Sequence, residues 1–142
     1  MHPTVCELSL RVRYAETDAM GIVHHRNYFV WFEAGRVEYM RRMGSNYAEI
    51  EKSGRFFAVS EVGAPNLAPA HFDDLITIRT WVVEVRSRSI AFNYEVVRAA
   101  TGQTLVTGFT RHICIDREGR VTAIPAQVRE LLASASGHRD GM

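Results

Sequence analysis

The segment from Asn27 to Met43 constrains this chain most. Tyr28, Phe29, Trp31, Phe32, Val37, Met40 and Met43 recur in it at three- and four-residue steps, about four and a half turns of helix. Asn27 is read as its N-cap and Gly44 as the C′ residue that stops it. Arg41 and Arg42 stand where the helix dipole favours cations. A glycine at position 35, mid-helix, costs about 1 kcal/mol relative to alanine, which implies close approach to a neighbouring backbone. So much apolar surface on one helix predicts nearly complete burial, most simply against a sheet.

Most of the remaining sequence alternates rather than cycling at helical period. In residues 5–14, Cys6, Leu8, Leu10, Val12 and Tyr14 share one face, while Glu7, Ser9, Arg11 and Arg13 share the other. That is the pattern of a half-buried strand. After a polar helical piece near Tyr47–Ser53, Phe56–Leu67 reads as a strand, with Pro65, Pro69 and Asp73-Asp74 marking turns around it. Leu75–Val85 is long and β-branched. Ile90, Phe92, Tyr94 and Val96 share a face of the next strand, and Leu105, Phe109, Ile113 and Ile115 a face of the last. Pro125 suits the first turn of a short helix carrying Val128, Leu131 and Leu132, and residues after Ser134 read as frayed. The order is strand, one long helix, then about four strands joined by short turns, an α+β chain with antiparallel pairing. One helix covers one face of a sheet. For the other face the apolar content favours a second copy of the chain over water.

Composition narrows the options. The 142 residues suit one domain, with a core over about residues 5–133. A formal net charge of +1 offers no global field for nucleic acid or membrane surfaces, so any bound anion must meet a local basic cluster. Cys6 and Cys114 both fall in strand-like segments and read as buried reduced thiols. The N-terminus lacks the basic and apolar regions of a signal peptide, and no apolar run approaches a membrane span. A cytoplasmic protein is expected.

Chemistry concentrates between the first strand and the long helix, in Tyr14 to Tyr28. Asp18 precedes Gly21, which permits backbone conformations other residues resist. The N–H groups around His24 to Tyr28 open a helix and lack intrahelical partners. Such a terminus stabilises a developing oxyanion. A carboxylate beside it could act as base on water or as nucleophile. That kit is sufficient for thioester hydrolysis, because a thiolate of pKa near 8.5 leaves with little help. No Gly-x-Ser-x-Gly, His-Glu-x-x-His or Cys-x-x-Cys occurs, and neither a metal nor a cofactor is expected.

Arg11-Val12, Thr17-Asp18, Gly21-Ile22-Val23, His25, Tyr28 and Glu33 together resemble the signature of the 4-hydroxybenzoyl-CoA thioesterase family of hotdog-fold acyl-CoA thioesterases. Pro69 to Asp74 and Glu84 to Ser89 resemble it too, so the likeness spans about residues 8 to 131. The resemblance implies a hotdog fold: a long central helix wrapped by an antiparallel sheet of five or six strands. It also implies dimers or tetramers whose sheets join, with active sites at the subunit interface. It places the catalytic carboxylate at Asp18 and the oxyanion donor near His25. Met20 and His24 fall where the family varies, which leaves the acyl group open, and Gly35 replaces a bulkier residue.

Asp18, Gly21 and His25 are therefore the expected catalytic set, with the His25 backbone N–H favoured over its ring. Tyr28 is expected to pack, with its hydroxyl near the substrate. Arg86 and Arg88 are expected to meet the CoA phosphates. Glu33 is read as structural, paired with Arg36. His24, His71 and His112 are read as polar or packing residues, and Asp73 and Asp74 as turn residues. The expected activity is hydrolysis of a short-chain or aromatic acyl-CoA. An acyl-carrier-protein thioesterase is the nearest alternative; a dehydratase and a non-catalytic acyl-CoA-binding module stand further off.

Overall fold

Five strands form one antiparallel sheet in the order β1-β3-β4-β5-β2. They are β1 (Cys6–Arg11), β2 (Phe56–Leu67), β3 (Leu75–Val85), β4 (Ser89–Arg98) and β5 (Thr104–Ile115). Among the described residues three helices accompany them: α1 (Arg26–Arg42), α2 (Tyr47–Lys52) and α3 (Ala126–Ala135). The coordinates are a computed structural model that describes residues 3–45 and 47–136. The sequence's strand limits for β2 and β3 hold, because turn-forming residues bound both. Asp73, with φ at +68°, turns the chain between them.

α1 lies on one face of the sheet, over Ile76, Ile78, Thr80 and Val82 of β3 and Ile90, Phe92, Tyr94 and Val96 of β4, all buried. Phe32 stacks on Tyr94 with centroids 4.4 Å apart, and Tyr39 meets Phe92 edge-on at 5.7 Å. Gly35 allows the approach: a Cβ there would lie 2.5 Å from Thr80 Oγ1 and 2.9 Å from Ile78 Cγ2. The close neighbours are thus β3 side chains rather than backbone. The helix stops as expected, with the Gly44 N–H donating to Arg41 O (3.1 Å) and the Ser45 N–H to Met40 O (3.0 Å).

Several expectations need correction. β1 ends at Arg11, and a 3-10 turn at Tyr14–Glu16 leaves Tyr14 73% exposed while burying Glu16 instead. α1 starts two residues earlier, with His25 rather than Asn27 at the N-cap. Asn27 sits in the first turn and donates its side-chain N–H to Glu16 O at 2.8 Å. Burial of α1 is one-sided, with Val30 half exposed. Pro65 falls within β2, between two register positions where pairing with β5 slips, instead of marking a turn. On β5 the inward face is Val106, Thr110, His112 and Cys114; Phe109, Ile113 and Ile115 face outward. A shift in pairing between Val96 and Val97 leaves Leu105 extra, and Phe32 fills the space above Gly108. α3 continues to Ala135, which is buried along with Ser136. The rest of the frayed tail expected after Ser134 lies outside the described residues.

The outer face of the sheet mixes ion pairs with the apolar side chains of Phe109, Ile113 and Ile115. Arg79 pairs with Glu95 (2.9 Å) and Glu7 (3.6 Å), and Arg111 with Glu61 (3.2 Å) and Glu84 (3.3 Å). Further apolar surface lies open on the α1 flank of edge strand β2, where Val59 and Val62 are exposed.

Candidate active site

The loop that carries Asp18 is a small hairpin clamped between β1 and α1. Thr17 bridges Val23, and Ile22 bridges His71. The Asp18 N–H donates to Ile22 O (2.8 Å), and the Gly21 N–H returns to Asp18 O (3.0 Å). Gly21 has φ at +76°, where a Cβ is strained, so the reversal is built on glycine. Phe72 and Val23 tie the loop to the segment after β2, through Phe72 N–H to Gly21 O (2.8 Å) and Val23 N–H to Ala70 O (3.0 Å).

Glu16 anchors this loop to the helix, a role the sequence reading missed. Its carboxylate accepts the Arg13 N–H (2.8 Å) and the indole N–H of Trp31 (2.9 Å). Its carbonyl accepts from the His24 N–H (3.0 Å) and the Asn27 side chain (2.8 Å). A buried tryptophan needs a partner for its N–H; Trp31 on the inner stripe was the available signal.

Asp18 itself is exposed. Its Oδ1 accepts N–H bonds from Met20 (2.8 Å) and Ile22 (3.1 Å), while Oδ2 takes none from the described residues. Those backbone donors, Ile22 foremost, hold its carboxyl below the usual carboxylate range, so the group is ionised near neutrality. Eight positions on, α1 begins. Among the described residues the N–H groups of His25 and Arg26 donate to nothing, because the helix's own bonds start further in. The His25 ring caps nothing and rests edge-on against Phe29, centroids 5.3 Å apart.

Tyr28 is buried, and its hydroxyl accepts the Ala70 N–H at 3.1 Å. Burial raises its phenol above the ordinary value. It thereby holds one wall of a cleft of about 210 Å³ lined by Ile22, Val23, His25, Tyr28, Ala68 and Pro69. The structure thus brings Asp18, Gly21, His25 and Tyr28 into one region, although Asp18 is not among the cleft's lining residues.

Arg86 and Arg88 are elsewhere. β3 starts at Leu75, paired with Arg11 next to the Asp18 loop, and both arginines lie beyond its other end at Val85. Ten strand steps of about 3.3 Å put that turn about 33 Å away. Arg86 is taken up by an ion pair with Glu84. Within one protomer neither arginine can meet a substrate at Asp18. Glu33 is exposed on α1 and forms no ion pair with Arg36, against expectation. His112 is buried and packs edge-on against Phe92. Among the described residues no three His, Cys, Asp or Glu side chains cluster to hold a metal ion, and no helix is long and apolar enough to cross a membrane.

Comparison with known proteins bears on the family and the fold. The family model described as the thioesterase-like superfamily matches residues 12–132. Acyl-CoA thioester hydrolase YbgC of Escherichia coli is 30% identical over 99 residues, covering 70% of this chain and 74% of its own. The crystal structure of hypothetical protein TT1821 from Thermus thermophilus is 40% identical with a TM-score of 0.85, covering 93% of this chain and 98% of that one. DHNA-CoA thioesterase from Staphylococcus aureus is 27% identical at the same TM-score of 0.85, covering 96% and 93%.

Proposed function

The chain belongs to the thioesterase-like superfamily and has the hotdog fold, and from that premise we propose that it hydrolyses acyl-CoA thioesters at the Asp18 loop. The observation that carries the reading is an ionised carboxylate on the Thr17–Val23 hairpin, followed by two unused N–H groups at the start of α1. The thioester carbonyl oxygen sits on the His25 and Arg26 N–H groups, where the helix dipole stabilises it as it becomes an oxyanion. Asp18 either takes a proton from the attacking water or adds directly to the carbonyl carbon. The C–S bond then breaks and the thiolate leaves; attack by water gives the free acid at once, whereas direct attack leaves an acyl-Asp18 anhydride that water hydrolyses to the free acid and the Asp18 carboxylate. The lowered pKa of Asp18 makes it a weak base, and direct attack through Oδ2 is the route that does not require it to take up a proton. Gly21 shapes the loop, and Tyr28 holds the Ala68–Ala70 wall against the acyl group.

The narrower likeness to the 4-hydroxybenzoyl-CoA thioesterase family rests on Thr17-Asp18, Gly21-Ile22-Val23 and His25. A CoA substrate is supported over a carrier-protein one by the names of the Escherichia coli and Staphylococcus aureus relatives, and the latter supports an aromatic acyl group. A CoA substrate and the two free, buried thiols of Cys6 and Cys114 suit the cytoplasm. The protein works as a homo-oligomer. Around Asp18, Met20 is 80% exposed, Tyr14 73% and Phe72 50%, and β2 presents Val59 and Val62 at an open edge. Apolar surface at a catalytic group in bulk water is what a second copy would cover. Arg86 and Arg88 would reach CoA only across such an interface.

The test is thiol release from a panel of short, long and aromatic acyl-CoAs. Asp18→Asn is expected to lose most of kcat with KM little changed, and the acid limb of wild-type kcat/KM to lie below the ordinary carboxylate range. Unchanged hydrolysis in Asp18→Asn overturns the assignment.

A further inference from the structure

Between β2 and β3 the chain runs Ala68-Pro69-Ala70-His71-Phe72 as a strap outside the five strands. Pro69 has no N–H to give a ladder, so β2 ends before it and the strap's polar groups find their partners singly. Those on one side belong to the Asp18 hairpin. Ala70 O accepts the Val23 N–H (3.0 Å), the Phe72 N–H donates to Gly21 O (2.8 Å), and His71 bridges Ile22. Ile22 in turn gives its N–H to Asp18 Oδ1 at 3.1 Å. On the inner side the Tyr28 hydroxyl accepts the Ala70 N–H (3.1 Å). Pro69 O and the His71 N–H go to Arg98 and Asp74.

Arg98, the last residue of β4, is a hub. Its Nη2 donates to Pro69 O and to Asp74 Oδ2, both at 3.3 Å, and its Nε reaches the same Oδ2 at 3.4 Å. Its Nη1 donates to Gln103 Oε1, in the turn after β4, at 2.6 Å. Asp74, a turn residue by its sequence, uses that same Oδ2 to accept the His71 N–H at 2.9 Å. The His71 ring is half exposed and stands 3.9 Å off, so Asp74 holds the backbone of His71 and not its imidazole. Asp74 is fixed in its turn, its carbonyl accepting the Val12 N–H (2.9 Å) and its N–H donating to His71 O (3.1 Å). The two side chains are 22% and 23% exposed, so solvent weakens the ion pair and its direct contribution to stability is small. The geometry says more than the charge: one planar guanidinium ties the strap, the entry to β3 and the β4–β5 turn together, which a single ammonium could not do.

We propose that Arg98 and Asp74 are positioning residues: they fix the strap that walls the cleft beside His25 and backs the Asp18 hairpin, and thereby set which acyl groups the cleft admits. That role presupposes hydrolysis at the Asp18 loop. Neither side chain lines the cleft, whereas Ala68 and Pro69 do, so the pair acts through the strap's backbone. A wall held at both Pro69 O and the His71 N–H does not recede from an oversized acyl group. A wall freed at either end yields, and discrimination by size fades. The hairpin loosens with it, because Ile22 is bridged to His71 and aims the Asp18 carboxylate.

The assay is thiol release from short, long and aromatic acyl-CoAs, read as the spread of kcat/KM between the best and the poorest substrate. That ratio does not depend on how much of the enzyme is folded, so a merely structural role leaves it unmoved. Arg98→Gln is expected to narrow the spread about fivefold or more and to lower kcat on the best substrate about tenfold. Asp74→Ala is expected to do the same, and the double variant to go no further, because either change opens one clamp. Arg98→Lys, able to grip Asp74 or Pro69 O but not both, is expected to recover part of the spread. Val82→Ala, a core cavity toward the far end of β3, supplies a destabilised control that keeps the wild-type spread. Where Arg98→Gln folds poorly, Arg98→Lys and Asp74→Asn carry the test, each expected to narrow the spread part of the way. A lower Tm in these variants with the spread intact overturns the proposal and leaves the pair structural. Wild-type hydrolysis by Asp18→Asn overturns the site and this role with it; an inactive Asp18→Asn beside an unchanged spread in Arg98→Gln overturns this role alone.

Discussion

Replacing Glu16 by glutamine tests whether one buried carboxylate holds the Asp18 loop to the start of α1. The side chain keeps its shape, but only one of its two terminal atoms can still accept. In the native protein both oxygens are used, by the Arg13 N–H at 2.8 Å and the Trp31 indole N–H at 2.9 Å. In Glu16→Gln an amide N–H must face one of those donors. One charge-assisted bond, worth about 1.5–3 kcal/mol, is lost, and a buried donor left unpaired adds about 1–3 kcal/mol. The two estimates overlap in what they count, so the expected loss is about 3 kcal/mol, or roughly 6–12 °C in Tm for a chain of this size. Urea titration at fixed protein concentration should show a lower midpoint with unchanged slope. Trp31→Phe supplies the control. With the indole donor gone, the amide N–H has nothing to oppose, so glutamine should be tolerated better by about 1.5 kcal/mol. The same variant should lower kcat/KM about tenfold or more, because the loop and the helix terminus would no longer be held in register. A stability change under about 0.5 kcal/mol, or strict additivity with Trp31→Phe, would refute the reasoning.

Two further outcomes follow from the core. Burial pushes the His112 imidazole down to about 3, whereas in the unfolded chain it titrates near 6.5. Between those values the unfolded state binds the extra proton, so the His112 contribution is complete above about pH 6.5 and drains away as pH falls toward 3, with a slope of up to about 1.4 kcal/mol per pH unit. His112→Asn should flatten the midpoint-versus-pH curve in that window even if it lowers stability throughout; an unchanged slope would mean that the histidine is not neutral in the fold. Gly35→Ala gains about 1 kcal/mol in helix propensity but drives a methyl to 2.5 Å from Thr80 Oγ1 and 2.9 Å from Ile78 Cγ2. Overpacking against two short β-branched side chains costs about 1–3 kcal/mol, so a net loss of about 1–2 kcal/mol is expected, partly recovered by Thr80→Ala; a stabilised Gly35→Ala would show that the helix can lift from the sheet freely.

Much of this protein was legible in the chain alone, wherever neighbours along the sequence decide the outcome. The limits of β2 and β3, the stop of α1 at Gly44 and the buried stripe Ile90, Phe92, Tyr94 and Val96 all follow from turn chemistry and periodicity. The Thr17-Asp18 and Gly21-Ile22-Val23 motif likewise pointed to the loop, because a carboxylate, a glycine and a helix start are local features. What pairing decides was not legible. The inward face of β5 depends on a slipped register with β4, so the more apolar set, Phe109, Ile113 and Ile115, ends up outside while Thr110 and His112 go in. The anchoring of the loop through Glu16 and Trp31 joins residues 15 apart, and the guanidinium of Arg36 meets Tyr94 across 58. Arg86 and Arg88 looked like site residues by type, yet an eleven-residue strand carries them to the far end of the sheet. Residue types and spacing set which groups could do chemistry. Only the three-dimensional pairing of strands and helix determined which of them stand together, because contact between distant residues depends on the whole register and not on any one segment.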